Sequence, residues 1–582
     1  MTAPSRLTFP VQDIPFSYAG SWFGISPVVA EKTYAEHLHL VSHQTGLHAV
    51  LRLVPQTGDA EAPSTVTATP AALTWTGEHG QAAVAYETTD TIRLRGHGLG
   101  MSIQAAHPTL TPFSGTYLYR DPVDGAYVFT DYGTGRRYRV TVLSGTVTAT
   151  GTEALGTGER AVTASDAAPW ELAIEEYAAA RPPYRTGVTF DQVVQAAGTA
   201  FSAFVDDVAP WRTPETPAAE LAAYVLWSAT VDPAGFVTRP AVLMSKHWMD
   251  KVWSWDHCFN ALALAGGRPE LAWHQFQIVF DHQDQAGALP DSITHSEVLY
   301  NFVKPPIHGW ALRKLRRQLP GLNAEDLRTI YTAMARWSTF WLTARRAPGE
   351  LLPHYQHGND SGWDNATTFD PHRLVQSADL AAFLTLQLRE LTDLAITLGL
   401  AEEATHWAET ADQLQAAMLD TLWTGDRFAA RRPGTPTTWT SDSLLNLMAV
   451  ALGDELPPTV SAALADRIRT HLTAYGPATQ HPQSPLYESD GYWRGPIWAP
   501  STLLIEDGLR RAGHIQLADD ISQRFRALCE RSGFAENFDA LTGAGLRDRA
   551  YTWTASVYLI LAADHTQRAT THRAATVSVL RP

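Results

Sequence analysis

The sequence is poor in cysteine, in positive charge and in long apolar runs, and each shortage excludes a class of protein. Cys258 and Cys529 alone cannot form a disulfide framework or a cysteine-ligated zinc site. Lys and Arg total 44 against 60 Asp and Glu, and the net charge of −16 argues against nucleic acid and anionic membranes as partners. No window approaches the roughly 20 apolar residues that span a bilayer.

Sequence signatures of several enzyme classes and of targeting are also missing. There is no Gly-x-Ser-x-Gly turn for a serine nucleophile and no His-Glu-x-x-His, and the 22 His are scattered, so we expect neither a nucleophilic triad nor a metal site. The first residues lack a basic segment followed by an apolar run. We therefore expect no signal peptide and a cytoplasmic protein.

Tryptophan and length are what the chain has in abundance. Its 582 residues, 45% of them hydrophobic and 18% charged, predict a globular protein of two domains or one very large one. Of the 19 Trp, all but Trp22, Trp75 and Trp170 follow residue 200. Many will fill a core, but several stand beside Gly, Asp and Arg in loops, where a flat apolar face suits a sugar ring.

Residues 1–166 are predicted to form an antiparallel β-sandwich. The segments 49–54, 91–95 and 138–143 alternate or carry β-branched residues, and turn signals recur between them. Thr146–Thr150 follows Ser144-Gly145 and is predicted to be the hairpin partner of 138–143. This domain is expected to support the catalytic domain or to form one boundary of the substrate site.

Residues 167–190 are interpreted as a linker with a short helix over 171–180, and residues 191–582 as a helical catalytic domain. Leu327 to Trp341 and Leu380 to Leu398 carry apolar stripes at spacings of three and four. Asn323, with Asp326 at the third helical position, predicts a capping box at the start of the first of these helices. About a dozen paired helices, without the fixed repeat of a solenoid, predict a closed (α/α)6 barrel.

One loop of the helical part concentrates chemistry, His357-Gly-Asn-Asp-Ser-Gly-Trp-Asp-Asn365. Its glycines allow sharp turns, and Trp363 offers an apolar face. Asp364 is a candidate acid, because a carboxyl group sheltered beside an indole has a raised pKa and can donate a proton to a leaving oxygen. The alternative is an ordinary loop in which Asp and Asn cap turns.

Three further loops place aromatic and charged residues together. Trp253, Trp255 and Asp256 stand at a helix start, where Asp256 either caps the helix or accepts sugar hydroxyls. His308 and Trp310 follow a Pro-Pro pair and either pack or contact a ligand.

Another loop, Tyr492 to Trp498, carries Arg494, a fork of donors for a carboxylate or a hydroxyl. Glu536 and Asp539 precede the last helix and supply a second candidate carboxylate. A carboxylate pair among aromatic walls is what glycoside hydrolysis requires.

Four of these stretches resemble motifs of the inverting glycoside hydrolases of family 63, and more loosely of the family 37 trehalases. They are Trp253-Ser-Trp-Asp256, Ser361-Gly-Trp-Asp-Asn365, Tyr492-Trp-Arg-Gly-Pro-Ile-Trp498 and Glu536-Asn-Phe-Asp-Ala-Leu-Thr-Gly543. The resemblance implies a barrel behind an N-terminal β domain, with Asp364 as general acid, Glu536 as general base and no cofactor. It implies a sugar subsite lined by Trp253, Trp255, Asp256, Tyr492, Trp493, Gly495 and Trp498.

We add five substrate-binding candidates from the loops themselves: His308, Trp310, Trp363, Asn365 and Arg494. Lys304 departs from the resemblance, since relatives often have Gln before the Pro-Pro pair, and it leaves the polar contact at that position open.

The expected activity is an exo-acting, inverting α-glucosidase on α-linked oligosaccharides. The first alternative is an α-mannosidase or a mannosyl- or glucosylglycerate hydrolase, although such relatives are shorter and lack a comparable N-terminal β domain. The second is a non-catalytic carbohydrate-binding protein on a degenerate barrel. The sequence leaves linkage, the choice between glucose and mannose, and oligomeric state open.

Overall fold

The computed structural model describes residues 7–579, with side chains to residue 570, and the chain divides into two compact units. The first runs to Asp207 and adds Ala223–Lys251 and Thr294–Glu297. The second comprises Val208–Ala222, Val252–Ile293 and the chain from Val298 onward. Among the described residues, no helix is both long and apolar enough to cross a membrane.

The first unit is built from two eight-stranded antiparallel sheets. One has the order β1-β2-β3-β4-β10-β17-β15 with β5 beside β4, and the other has the order β12-β13-β14-β18-β9-β8-β7-β6. The strands are β1 (Phe16–Ser17), β2 (Phe23–Ala30), β3 (Thr33–Ser42), β4 (His48–Thr57), β5 (Ala60–Glu61), β6 (Thr65–Ala68), β7 (Leu73–Thr76), β8 (Gln81–Thr88), β9 (Thr91–His97), β10 (Gly100–Ala105), β11 (Thr109–Leu110), β12 (Thr116–Arg120), β13 (Tyr127–Asp131), β14 (Arg136–Ser144), β15 (Val147–Thr150), β16 (Gly156–Thr157), β17 (Ala161–Ala164) and β18 (Trp170–Tyr177).

Aromatic side chains join the two sheets face to face. The ring of Tyr86, on β8, lies 5.6 Å from that of Phe16 on β1 and 5.4 Å from that of Phe23 on β2. Its hydroxyl donates to the Phe23 carbonyl oxygen at 3.0 Å. The predicted antiparallel β region is therefore present as a sandwich-like pair of sheets.

The helix predicted over 171–180 is wrong, because Trp170–Tyr177 forms strand β18 between β14 and β9. Its glutamates gave the segment a helical composition, but they are paired across the sheet. Glu171 pairs with Arg93, and Glu175 lies 2.6 Å from Arg139. Ion pairs with neighbouring strands thus offset the low strand propensity of glutamate.

The predicted hairpin of 138–143 with 146–150 is also wrong. β14 pairs with β13 and β18, whereas β15 pairs with β17 in the other sheet. Gly145 between them has a φ of 88°, and a Cβ there would lie 2.5 Å from Trp170 Cβ. The glycine lets the chain pass close over Trp170 as it changes sheets.

The chain continues through α1 (Phe190–Val208), α2 (Ala219–Ala229), β19 (Thr230–Val231) and β20 (Ala241–Val242). The second unit is mainly helical. Its helices are α3 (His257–Leu264), α4 (Pro269–Gln277), α5 (His308–Gln318), α6 (Ala324–Thr343), α7 (Ala378–Thr397), α8 (Ala401–Leu422), α9 (Pro458–His471), α10 (Ala499–Arg511), α11 (Ile515–Ser532) and α12 (Thr552–Val579). Four 3-10 segments cover Phe280–His282, Gly358–Ser361, Thr367–Phe369 and Leu444–Glu455.

Short strands connect these helices at the loops that carry the motifs. They are β21 (Val252–Trp253), β22 (Ser292–Ile293), β23 (Val298–Leu299), β24 (Ala430–Arg431), β25 (Thr438–Trp439), β26 (Asn537–Phe538) and β27 (Gly545–Leu546). β21, β22 and β23 form one small antiparallel sheet, and β26 and β27 form a hairpin. The predicted capping box at Asn323 and Asp326 is confirmed at the start of α6.

The last helix of the second unit packs against α3. Asn260 on α3 donates to Thr552 at 3.4 Å and accepts from Ser556 at 2.8 Å. The rings of Trp255 and Trp553 meet edge to face at 5.6 Å. These contacts join α3 to the helix at the far end of this unit's sequence.

Candidate active site

The loop that carries Asp364 is held in shape by a buried carboxylate and a glycine. Asp360 accepts hydrogen bonds from the backbone of Val303 at 3.1 Å and of Gln356 at 2.8 Å, and pairs with Arg345 at 2.7 Å. Gly362 has a φ of 73°, and a Cβ there would lie 2.4 Å from the Trp255 ring. The loop therefore needs glycine at this point, both for its turn and to lie against Trp255.

Asp364 sits at the edge of this loop with one oxygen recessed. The residue keeps some exposure, yet its Oδ1 is buried and accepts no hydrogen bond from the described part of the chain. Burial raises the pKa of Asp364, Asp291 raises it further, and Lys304 and His357 oppose the rise. The group thus has the character required of a proton donor.

Glu536 is a buried carboxyl group immediately before β26. It is 3% exposed, and its backbone N–H donates to the Asp548 carbonyl oxygen at 2.7 Å. Burial raises the pKa of Glu536 to about 8, and the nearby Asp548 adds to the rise. Arg547 and a hydrogen bond with the Tyr492 side chain act in the opposite direction.

Tyr492 is influenced by both carboxyl groups. Its side chain is hydrogen bonded to Glu536, and its pKa is raised by burial and by the charges of both Glu536 and Asp364. It is a non-glycine residue with a φ of 63°, a conformation that costs energy and recurs at functional sites. The Arg547 guanidinium lies 4.9 Å from its ring centroid. Asp364 and Glu536 therefore both lie close to one tyrosine.

Asp256 does not cap α3. Its side chain makes no capping hydrogen bond, and its Oδ2 is buried without a partner among the residues that the structure describes. Burial raises its pKa to about 8; Lys304 opposes the rise, while Asp291 and Asp364 add to it. A buried carboxyl oxygen without a partner beside Asp364 is suited to a sugar hydroxyl.

Lys304 is a cation whose charge acts on both Asp256 and Asp364. Its Nζ lies 3.1 Å from Asp291 and donates to the Asn359 carbonyl oxygen of the acid loop at 2.9 Å. Burial lowers its pKa, but the charges of Asp364, Asp291 and Asp256 outweigh that effect and the pKa is raised. The ammonium therefore stays charged inside the site.

The predicted aromatic wall is present, but most of its rings face each other. Trp493 lies between Trp363 at 4.5 Å and Trp498 at 4.0 Å, the latter pair almost parallel at 7°. Trp255, Trp363, Trp493 and Trp498 are all buried, whereas Trp253 keeps an exposed part. Among these tryptophans, Trp253 has the most surface available for a sugar, and the buried indoles form the wall behind it.

His308 and Trp310 are directed into the helical packing. His308 shares a hydrogen bond with the Ser254 carbonyl oxygen at 2.9 Å, and burial lowers its pKa to about 4. The Trp310 indole donates to Asp507 on α10 at 2.8 Å. Both residues make the contacts expected of the packing alternative.

Asn365, Arg494 and Gly495 hold two loops together. The Asn365 amide donates to the Gly491 carbonyl oxygen at 3.0 Å and accepts from the Trp493 backbone at 3.0 Å. Arg494 donates to the Asn365 carbonyl oxygen at 2.8 Å. A Cβ on Gly495 would lie 2.2 Å from the Glu488 carbonyl oxygen. These residues fix the acid loop against the Tyr492 loop.

The remaining carboxylate candidate is structural, and several site residues were not found from the sequence. Asp539 accepts from the backbone of Leu541 at 2.8 Å in a turn. The unpredicted neighbours of the carboxyl groups are Asp291, Arg547 and Asp548, and the unpredicted Trp553 packs against the ring of Trp498. Predicting the β26–β27 hairpin across Gly543 would have found two of them, because Asn537 pairs with Leu546 and brings the following residues back to Glu536.

Comparisons with known proteins match the helical unit in sequence. A family model described as the mannosylglycerate hydrolase MGH1-like glycoside hydrolase domain matches residues 249–554. A mannosylglycerate hydrolase of Rubrobacter radiotolerans is 25% identical over 56% of this chain and 92% of its own. The mannosylglycerate hydrolase MGH1 of Selaginella moellendorffii is 24% identical over 53% of this chain and 79% of its own. The resemblance to family 63 is confirmed.

Solved structures share the fold. A family 63 mannosylglycerate hydrolase from Thermus thermophilus, in complex with glucose, has a TM-score of 0.51 at 22% identity, covering 58% of this chain and 98% of that one. A bacterial glucoamylase complexed with acarbose has a TM-score of 0.62 at 11% identity and covers 97% of both chains. The second likeness thus extends over the N-terminal sheets as well.

Proposed function

Because the chain belongs to the mannosylglycerate hydrolase MGH1-like glycoside hydrolase family and is a glycoside hydrolase, we propose that it hydrolyses a small α-glycoside with inversion, of the mannosyl- or glucosylglycerate class. Asp364 is the general acid and Glu536 the general base. The observation that carries these roles is Tyr492, which is hydrogen bonded to Glu536 and feels the charge of Asp364 as well. Two carboxyl groups near one side chain can act on one bound sugar.

In the proposed mechanism a single displacement breaks the glycosidic bond. Protonated Asp364 gives its proton to the glycosidic oxygen, and that oxygen leaves with the bonding electron pair as a hydroxyl group. Ionised Glu536 takes a proton from a water on the opposite face, and the water oxygen bonds to the anomeric carbon. Inversion requires the two carboxyl groups to stand about 6.5–9.5 Å apart, which leaves room for that water.

Substrate recognition is proposed to rest on the residues with available surface or available acceptors. Trp253 keeps exposed surface for a ring face, and Asp256 Oδ2 is a buried acceptor for a sugar hydroxyl. Trp255, Trp363, Trp493 and Trp498 form the aromatic backing, and Asn365, Arg494 and Gly495 hold the loops in register.

We further propose that the helices close into an (α/α)6 barrel, which the packing of α12 on α3 supports.

A substrate panel with stereochemical readout tests the proposal. Purified protein is incubated with α-mannosylglycerate, α-glucosylglycerate, maltose and maltotriose, and the released sugar is followed by proton NMR. We expect hydrolysis of a glycerate glycoside, with the β-anomer of the free sugar appearing first. First appearance of the α-anomer would contradict inversion, and inertness toward all four compounds would contradict the substrate class.

A second candidate function is an α-glucosidase acting on oligosaccharides. The observation that favours it is the first unit, since the glucoamylase likeness covers 97% of both chains, whereas the mannosylglycerate hydrolase structure covers 58% of this one. A preference for maltotriose over both glycerate glycosides in the same panel would select this alternative. The roles of Asp364 and Glu536 are the same in both proposals.

A further inference from the structure

Lys304 is a buried cation that joins two segments around Asp364. It is 6% exposed and stands directly before Pro305 and Pro306, which lead into α5. Its Nζ reaches Asp291, at the end of the chain segment before β22, and the Asn359 carbonyl oxygen in the acid loop. These two contacts fix the ammonium relative to the loop that presents the acid.

The carboxyl groups around Lys304 outnumber its single positive charge. One ammonium faces three carboxyl groups, those of Asp364, Asp291 and Asp256, and only Asp291 is within ion-pair distance by the bonds described. Asp364 and Asp256 each keep a buried oxygen without a partner in the described chain. Because each additional buried charge is costly, one cation cannot hold three carboxylates ionised.

Resting on the hydrolytic mechanism proposed above, we infer that Lys304 is a positioning residue for the acid step, which anchors the acid loop at Asn359 and limits the pH range over which Asp364 holds its proton. It does not itself give or take a proton in the reaction. Its effect on Asp364 is electrostatic, with Asp291, Asp256 and His357 as the other groups in the balance.

The direction of the effect follows from the signs of the charges. An ammonium close to a carboxyl group favours the ionised form, so Lys304 lowers the pKa of Asp364, whereas the Asp291 carboxylate raises it. A neutral side chain at position 304 no longer lowers the pKa of Asp364, and the negative charge of Asp291 then has no ammonium beside it to offset its effect on Asp364. Both changes help Asp364 to keep its proton, and the alkaline limb of the kcat/KM profile moves to higher pH.

The variants K304Q and K304R separate charge from loop anchoring. Glutamine keeps a hydrogen-bond donor for the Asn359 carbonyl oxygen but has no charge, and arginine keeps the charge. The matched control is K314Q, because Lys314 forms an ion pair with the carboxylate of Asp507 at 2.5 Å in the same unit. All three variants are measured against the glycoside that the wild-type protein hydrolyses best.

We expect the alkaline limb of kcat/KM to move up by about one pH unit or more in K304Q, the usual effect of losing a close opposite charge. K304R and K314Q are expected to keep the wild-type limb. A K304Q protein whose activity falls equally at every pH, with the limb unmoved, would overturn the inference. So would a K304R protein that shifts as K304Q does.

A second measurement does not depend on turnover. The carboxyl stretching band of Asp364, assigned by its loss in D364N, is titrated by infrared difference spectroscopy in wild type and K304Q. Its midpoint is expected to rise by the same amount as the kinetic limb. An unmoved midpoint would overturn the role of Lys304 even if no glycoside were hydrolysed, whereas inertness with a moved midpoint would count against the proposed substrate alone.

Discussion

The raised pKa of Glu536 predicts an acid limb of kcat/KM at unusually high pH. A general base must be ionised, and burial raises the pKa of Glu536 to about 8, against about 4.3 for an unperturbed glutamate. In the free enzyme at pH 7, only about one Glu536 in ten is ionised, so over the range in which Asp364 keeps its proton kcat/KM should increase several-fold between about pH 7 and pH 8.

Tyr492→Phe tests whether that limb belongs to Glu536. The hydrogen bond with Tyr492 lowers the pKa of Glu536, so its removal should move the acid limb further up, by about half a unit to one unit for a hydrogen bond of about 1 kcal/mol. The matched control is Tyr355→Phe, which removes a buried tyrosine hydroxyl that donates to Asp379 at 2.9 Å. Profiles of kcat/KM are recorded from about pH 5 to pH 10.

Two results would refute this reasoning. An acid limb near pH 4 to 5 would mean that Glu536 titrates like an exposed glutamate, or that another group sets the limb. A limb that moves equally in Tyr492→Phe and Tyr355→Phe would mean that the shift reflects general loosening of the unit and not the bond to Glu536.

Three further predictions concern the acid, the base and the acid loop. Asp364→Asn should lower kcat/KM by about 10²–10⁴-fold on a natural glycoside with an unchanged circular dichroism spectrum; near-normal turnover would remove the acid assignment. Glu536→Gln should stabilise the fold at neutral pH. The unfolded state loses the Glu536 proton near pH 4.3 while the folded state holds it to about pH 8, which costs the native protein about 3 to 4 kcal/mol at pH 7. Urea unfolding should show the variant's advantage growing from about pH 5 to pH 8, and a constant difference would contradict it. Gly362→Ala should lose more stability than Gly399→Ala, because both have φ near 74° but only the first would place its Cβ 2.4 Å from Trp255; equal midpoints in thermal unfolding would contradict the clash.

The helices could be predicted because their signals are local. Apolar residues at spacings of three and four, and a capping box at Asn323, are properties of consecutive residues, and α6 and α7 begin and end within a few residues of the predicted positions. Strand β18 could not be found this way. Its glutamates favour a helix when the segment is considered alone. Their ion-pair partners, Arg93 and Arg139, lie on strands that are distant along the chain.

The site divides in the same way. Candidate site residues that belong to one motif, such as Trp253, Asp256, Asp364 and Tyr492, could be predicted from the residues next to them in the sequence. Their electrostatic partners could not, because Asp291 reaches Lys304 and Asp364 only through the small sheet of β21, β22 and β23. The motifs therefore locate the proposed reacting groups, whereas the charges that set their protonation come from segments without a signature.

The residues that hold the loops in place are different from the proposed reacting residues, and this explains how the site keeps groups whose burial and backbone strain cost free energy. The carboxyl groups of Asp256 and Glu536 have pKa values near 8 because burial penalises their charged forms, and Tyr492 is held in a left-handed backbone conformation. Such a cost persists only where the surroundings fix the geometry independently of the reacting groups. Here Asp360 and Arg494 do so, since each makes several hydrogen bonds or ion pairs to loop segments and neither is a reacting group. Substituting these supports should therefore relax the loop and lower the pKa of Asp364 toward that of an exposed aspartate, weakening the proton donor without touching it.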